Sequence, residues 1–154
     1  MLLKMKWTVL TDNRTCDDQL QTENGLSILL ETEKHRILLD TGASDVFIRN
    51  AEKTGIDLST VDYVFISHGH SDHAGGLKYF MKMNDKAKII VSPDALKGRF
   101  FSKRQYLHSI TKEWPDAYPQ TQFYTSHCTG DAVFATLHQV MGDKIHTFSC
   151  GISM

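Results

Sequence analysis

Long apolar runs are what this sequence most plainly lacks. No stretch approaches the roughly 20 consecutive residues a membrane-spanning helix needs, and Met1-Leu2-Leu3-Lys4 leads into a mixed strand rather than the core of a signal peptide. The expectation is a cytoplasmic protein with no membrane partner. Excess charge of either sign is missing too. The formal net charge is -1, with acids and bases mixed along the chain, so nothing predicts nucleic acid or an anionic surface as a partner. Cysteine is scarce: Cys16, Cys128 and Cys150 are odd in number and widely separated, which argues against a disulfide framework and predicts reduced thiols. No internal repeat, low-complexity tract or linker interrupts the chain. With 154 residues, 41% of them hydrophobic, residues 1–154 fit a single domain with a real core.

What is present alternates between strand and helix signals. Trp7 to Leu10 has the composition of a first strand, and Thr11 to Glu23 is polar enough for a loop, in which Asp12 and Asn13 either face a site or form a turn. Gly25 to Glu31 and Ile37 to Leu39 are apolar runs split by Thr32 to Arg36, the pattern of a hairpin, with His35 a solvated loop residue. Ser44 is placed to cap a helix carrying Phe47 and Ala51 and closing at Gly55. After the connector Asp57 to Asp62, a strand over Tyr63 to Ile66 precedes a helix from Gly76 to Met83 with Leu77, Phe80 and Met81 as its apolar stripe. Ala87 to Val91 reads as a further buried strand. Leu96 to Gln122 is less informative: Lys97, Arg99, Lys103 and Arg104 make a basic cluster that either binds an anion or is a solvated helix face, and His108 has no spacing partner. A strand over Phe123 to Ser126 then leads through His127-Cys128-Thr129-Gly130 into a helix with Val133, Leu137, Val140 and Met141 on one face and Gly142 as its stop. The alternation predicts an α/β domain.

Between the Tyr63 to Ile66 strand and the following helix lies the densest chemistry in the chain. Ser67-His68-Gly69-His70-Ser71-Asp72-His73 places three histidines and a carboxylate within six residues. Neutral imidazole and carboxylate suit a borderline divalent cation such as Zn²⁺. His68 and His70, two apart on an extended exit, can face one ion, while Asp72 and His73, after the bend, can face a second. Each alone is more often a satisfied polar loop residue; four at this spacing predict a metal site. Asp40, at the end of the Ile37 to Leu39 run, is either a partner that orients a metal-binding histidine or a turn former. His127 stands at a strand end before a helix, where α/β folds place ligands. His138 and His146 read as structural, and Cys128 as a small buried residue.

HGHSDHAGG resembles the HxHxDH signature of the metallo-β-lactamase superfamily, and Leu38-Leu39-Asp40-Thr41-Gly42 is similar to its upstream LLDTG turn. GLSILLE, ILLDTG and HCTG are similar to the branch related to 7,8-dihydropterin-6-methyl-4-(β-D-ribofuranosyl)aminobenzene-5′-phosphate synthase. The resemblance implies an αββα sandwich, one or two divalent ions (Zn, with Mn or Fe as alternatives), and His127 as a late ligand. Relatives carry a GCSH-like turn with a further histidine between the two motifs; here 91–124 contains only His108. The implied fold is therefore compact and incomplete beside full-length relatives, with His68 and His70 for one ion and Asp72, His73 and His127 for the other.

Two functions follow. One is a metallo-hydrolase in which activated water attacks an ester, phosphoester or amide of a small-molecule substrate, with Asp72 orienting the nucleophile. The other is a non-catalytic metal-binding domain, or one whose site a partner completes. Apolar runs such as Ile28 to Leu30, Ile37 to Leu39 and Ile89 to Val91 need cover, for which a homodimer is the simplest source.

Overall fold

The structure is a computed structural model that describes residues 5–91, 122–125 and 130–153. They belong to two compact units, one formed by 5–91 with 149–153 and the other by 122–125 with 130–148. Among the described residues no helix is long and apolar enough to cross a membrane.

The first unit is built on a five-stranded sheet in the order β1-β2-β3-β4-β5. Strand β1 (Lys6–Thr11) pairs antiparallel with β2 (Ser27–Glu31), which pairs antiparallel with β3 (Arg36–Leu39). Strands β4 (Tyr63–Ile66) and β5 (Lys88–Val91) then add parallel to β3. The β2-β3 link is the expected hairpin, closed by the Thr32 amide donating to the His35 carbonyl at 2.9 Å. The chain end returns to cover the outer edge of β1, where the Val9 amide donates to the Ile152 carbonyl at 2.9 Å and the Gly151 amide to the Val9 carbonyl at 3.0 Å. Covering that row of backbone groups removes a template for unwanted pairing.

Register places the core. Leu29 faces Leu38, and Leu38 faces Val64, so three fully buried aliphatic side chains line one face of the sheet. Each such burial contributes about 1.5–3 kcal/mol. Helix α1 (Val46–Lys53) buries Val46, Phe47, Asn50 and Ala51, and a single-turn helix α2 (Ser71–Ala74) precedes α3 (Leu77–Met83), which buries Phe80. Phe47, Ala51 and Phe80 pack with Leu10, Leu29, Leu38 and Val64 in one cluster. Helix α1 ends as expected: Gly55 adopts φ 72°, and the Ile56 amide reaches back to the Ala51 carbonyl at 2.8 Å. Its start differs. The residue at the cap position is Asp45, but the Ser44 hydroxyl still accepts the Val46 amide at 3.3 Å while donating to Glu23 at 2.6 Å, whose other carboxylate oxygen accepts the Ala43 amide at 2.9 Å.

In this unit three apolar positions, Met81, Ile89 and Ile90, depart from expectation. Met81 is 53% exposed because the stripe of α3 narrows to Phe80 with Leu77 packed beside it. Strand β5 is not buried: Ile89 and Ile90 are 39% and 42% exposed, since β5 is the last strand of the described sheet. The run Ile28 to Leu30, flanked by strands on both sides, is buried or half-buried.

In the second unit, β6 (Phe123–Thr125) and β7 (Ile145–Thr147) pair parallel across helix α4 (Asp131–Met141), a right length of connection for parallel strands. Leu137, Met141 and Ile145 form its core with Phe123, Val133 and Phe134. Val140, expected on the buried stripe, is 48% exposed, because 137 and 141 already fill the side facing the strands.

Asn50 ties the first unit together. Its amide nitrogen donates to the Leu10 and Gln21 carbonyls at 2.7 and 2.8 Å, and its oxygen accepts the Gln21 amide at 2.9 Å. Asn50→Ala leaves these groups without that partner, so thermal or urea unfolding is expected to show a loss of about 2 kcal/mol or more.

Candidate metal centre

Strands β3 and β4 run parallel, so the turn after Leu39 and the loop after Ile66 emerge side by side. Asp40 stands at that junction in the left-handed region, φ 55°, a conformation Asp tolerates better than most residues. Its amide donates to the Phe65 carbonyl at 2.8 Å and its carbonyl accepts the Ser27 hydroxyl at 2.9 Å. The backbone is thus fixed between β2 and β4, and the carboxylate is turned into the protein.

A buried carboxylate is costly without partners. Asp40 is 1% exposed, and three donors meet it: the Ser67 amide and hydroxyl, each at 2.7 Å, and His73 Nδ1, also at 2.7 Å. His73 rides on α2, whose position is set from below. The Thr41 amide and hydroxyl both donate to the His73 carbonyl, at 2.8 and 3.0 Å. The Leu26 amide donates to the Asp72 carbonyl at 3.1 Å and the Gly76 amide to the Gly42 carbonyl at 3.0 Å. A Cβ at Gly76 would collide with the carbonyl oxygens of Thr41 and Ser44 and the Phe47 ring, so only glycine lets the loop lie this close.

These contacts assign protons. A carboxylate accepts only, so His73 Nδ1 carries hydrogen toward Asp40, and in the neutral ring the lone pair lies on Nε2. The Ser67 hydroxyl spends its single hydrogen on Asp40 and therefore accepts from His68 Nδ1 at 2.9 Å. His68 then carries its lone pair on Nε2 as well. One buried carboxylate sets the tautomer of both rings, directly for His73 and through Ser67 for His68.

The three histidine rings are gathered. Centroids of His68 and His70 lie 4.6 Å apart, and those of His68 and His73 lie 4.2 Å apart. Asp72 is partly exposed, with a carboxylate oxygen 3.9 Å from His73 Nε2. Partial burial, followed by the positive charge His73 and His70 would place beside it, pushes His68 below its ordinary pKa, against the pull of Asp40 and Asp72. The neutral imidazole that results is the form that ligates cations. The donor chemistry fits a divalent metal. Among the described residues, however, no three His, Cys, Asp or Glu side chains form a group ready to hold an ion. His127 lies outside the described residues, as do His108, Cys128 and the Lys97 to Arg104 cluster.

Elsewhere, Asp12 is buried and Asn13 exposed, His138 is exposed beside Phe134, and His146 binds Gln122 at 2.7 Å. Cys150, given no role from sequence, is buried against Leu10 and Asn50, and burial pushes its thiol up to about 11. Sequence reading also gave no task to Ser67, Thr41 or Ser27; the only signal was a hydroxyl residue next to each motif.

Long-range proton–nitrogen correlation on the metal-free protein checks the proton assignment. His68 and His73 are expected as Nδ1–H tautomers. Ser67→Ala is expected to change His68 alone, whereas Asp40→Asn changes both; an unaltered His68 in the Ser67 variant contradicts the relay.

Comparison with known proteins finds relatives in sequence and in fold. A family model described as the metallo-beta-lactamase superfamily matches residues 20–125. The uncharacterized protein MJ0448 of Methanocaldococcus jannaschii is 34% identical over 98 residues, covering 62% of this chain and 38% of that protein. The 7,8-dihydropterin-6-methyl-4-(beta-D-ribofuranosyl)-aminobenzene-5′-phosphate synthase of the same organism is 30% identical over 107 residues, covering 66% of this chain and 36% of the synthase. The chain thus spans little more than a third of the length of these curated relatives. The crystal structure of Tm1679, a metal-dependent hydrolase of the beta-lactamase superfamily, superposes with a TM-score of 0.72 over 98% of both chains at 19% identity, a likeness of fold. With β2 to β5, the LLDTG turn and the HGHSDH loop all inside the matched residues, this chain belongs to the metallo-β-lactamase superfamily.

Proposed function

We propose that the chain is a metal-dependent hydrolase acting on an ester, phosphoester or amide bond of a small molecule. The observation that carries this reading is the pair of histidines whose lone pairs are set on Nε2 by one buried carboxylate, with His70 and Asp72 beside them. His68, His70, Asp72 and His73 would hold one or two divalent ions, Zn or else Mn or Fe, with His127 as a further ligand. When bound, such an ion supplies Lewis acidity, lowering the pKa of water toward about 7 and polarising the bond to be cleaved. The chain's own residues do the rest. Asp40 and Ser67 hold the two rings in place, so little reorganisation accompanies binding. Asp72, on the exposed side of α2, would orient the attacking water and take up its proton.

A second reading is a metal-binding domain without activity, or one whose site a partner copy completes. It is supported by the lack of a ready metal group among the described residues and by the short span relative to the curated relatives.

Metal analysis of the purified protein is expected to find Zn, Mn or Fe, and the double variant His70→Ala, His73→Ala to lose it; unchanged metal content sinks the assignment. Asp40→Asn is expected to retain the fold and weaken metal affinity about 10–100-fold. A panel of ester, phosphodiester and amide substrates then separates the two readings: turnover that vanishes on chelation and returns with metal supports the hydrolase, and a loaded but inert protein supports the binding domain.

A further inference from the structure

At the opposite end of the same sheet, where β4 and β5 begin, the surface carries a pocket of about 340 Å³ lined by His35, Ser59, Asp62, Tyr63, Lys86 and Lys88 among others. Its size falls in the range of small-molecule sites. Strands of four residues separate it from the histidine loop by roughly 10 Å or more along the sheet.

Its walls are built from inside. The side chain of Asn84, 5% exposed, donates to the carbonyls of Leu58, Ser59 and Val61 at 3.1, 3.1 and 3.0 Å. Its oxygen accepts the amides of Lys86 and Ala87 at 3.0 and 2.9 Å. One buried amide therefore clamps the wall over 58–61 to the wall that carries Lys86. The floor is equally fixed, because the Asp62 amide donates to the Arg36 carbonyl and the Lys88 amide to the Asp62 carbonyl, both at 2.9 Å.

Charge selects the ligand. Asp62 is engaged, accepting the Arg36 amide at 2.8 Å and lying 3.6 Å from His35 Nδ1. Lys86 and Lys88 form no ion pair with a carboxylate among the described residues; the Lys88 ammonium sits 5.9 Å from the centre of the Tyr63 ring. His35 packs edge-on to that ring at 5.3 Å. Two lysines line a rigid-walled pocket that also holds an aromatic ring, one of them near that ring, a combination that suits an anion attached to a planar group.

We propose that this pocket is a second binding site, separate from the histidine loop, for a small organic anion bearing a phosphate or carboxylate, held by Lys86 and Lys88 with its organic part on Tyr63. Titration of the full chain with phenyl phosphate, followed by amide chemical shifts, tests it. Saturable shifts at 61–63 and 86–88 are expected, with a dissociation constant on the order of 1 mM. The double variant Lys86→Gln, Lys88→Gln, which changes only exposed side chains, is expected to weaken binding about tenfold or more while shifts elsewhere persist. Phenol, without the anion, is expected to bind more weakly still. The proposal is overturned if no saturable shift occurs at these amides, if the shifts are confined to the histidine loop at 67–76, if the double variant binds as well as the wild type, or if phenol matches phenyl phosphate.

Discussion

The carboxylate of Asp40 is the constraint around which the first unit is arranged. A charge this buried is tolerated only where donors converge on it, and the convergence dictates the rest. Ser67 must leave β4 with both its amide and hydroxyl turned back, and α2 must present His73 at the same depth. The left-handed backbone at Asp40 costs on the order of 1 kcal/mol or more. It is held by the bond to Phe65 and by the Ser27 hydroxyl, neither of which touches the histidines' ligating side. Local strain, buried charge and ring orientation are therefore one feature, located where two parallel strands end together.

That feature explains which parts of the site were legible in the sequence. His68, His70, Asp72 and His73 announce themselves because their spacing is improbable in a loop, and Asp40 because a carboxylate at the end of an apolar run demands a reason. Ser67 and Thr41 do not, because a hydroxyl beside a motif is equally at home in water. Their roles depend on which backbone groups lie opposite, and only the parallel registry of β3 and β4 determines that. Asn84 is hidden for the same reason: an asparagine after a helix looks like a turn former until its five hydrogen bonds to two segments are seen.

The fold was legible where periodicity had a single interpretation. The β2-β3 hairpin, the Gly55 stop and the β4 strand follow from local chemistry. Met81, Ile89 and Val140 were placed in the core because they match the apolar period, yet each lies exposed. Period tells which residues share a face but not how much of that face a neighbour covers, and for β5 the answer depends on its place at the end of the described sheet.

The two ends of this sheet differ in a way that bears on function. At the C-terminal ends of β3 and β4 the protein buries a carboxylate that holds His73 by Nδ1 and leaves the Nε2 lone pairs of His73 and His68 facing outward, a polarity suited to a cation. At their N-terminal ends the one carboxylate facing the pocket accepts a backbone amide and lies 3.6 Å from a histidine, and two lysines line the pocket, Lys88 of them near the tyrosine ring, a polarity suited to an anion. Parallel strands make this separation possible, because every β-to-α turn lies at one end and every return at the other. Substitutions at one end need not disturb the other, since the core of Leu29, Leu38, Val64 and Phe80 lies between them and carries the stability of both.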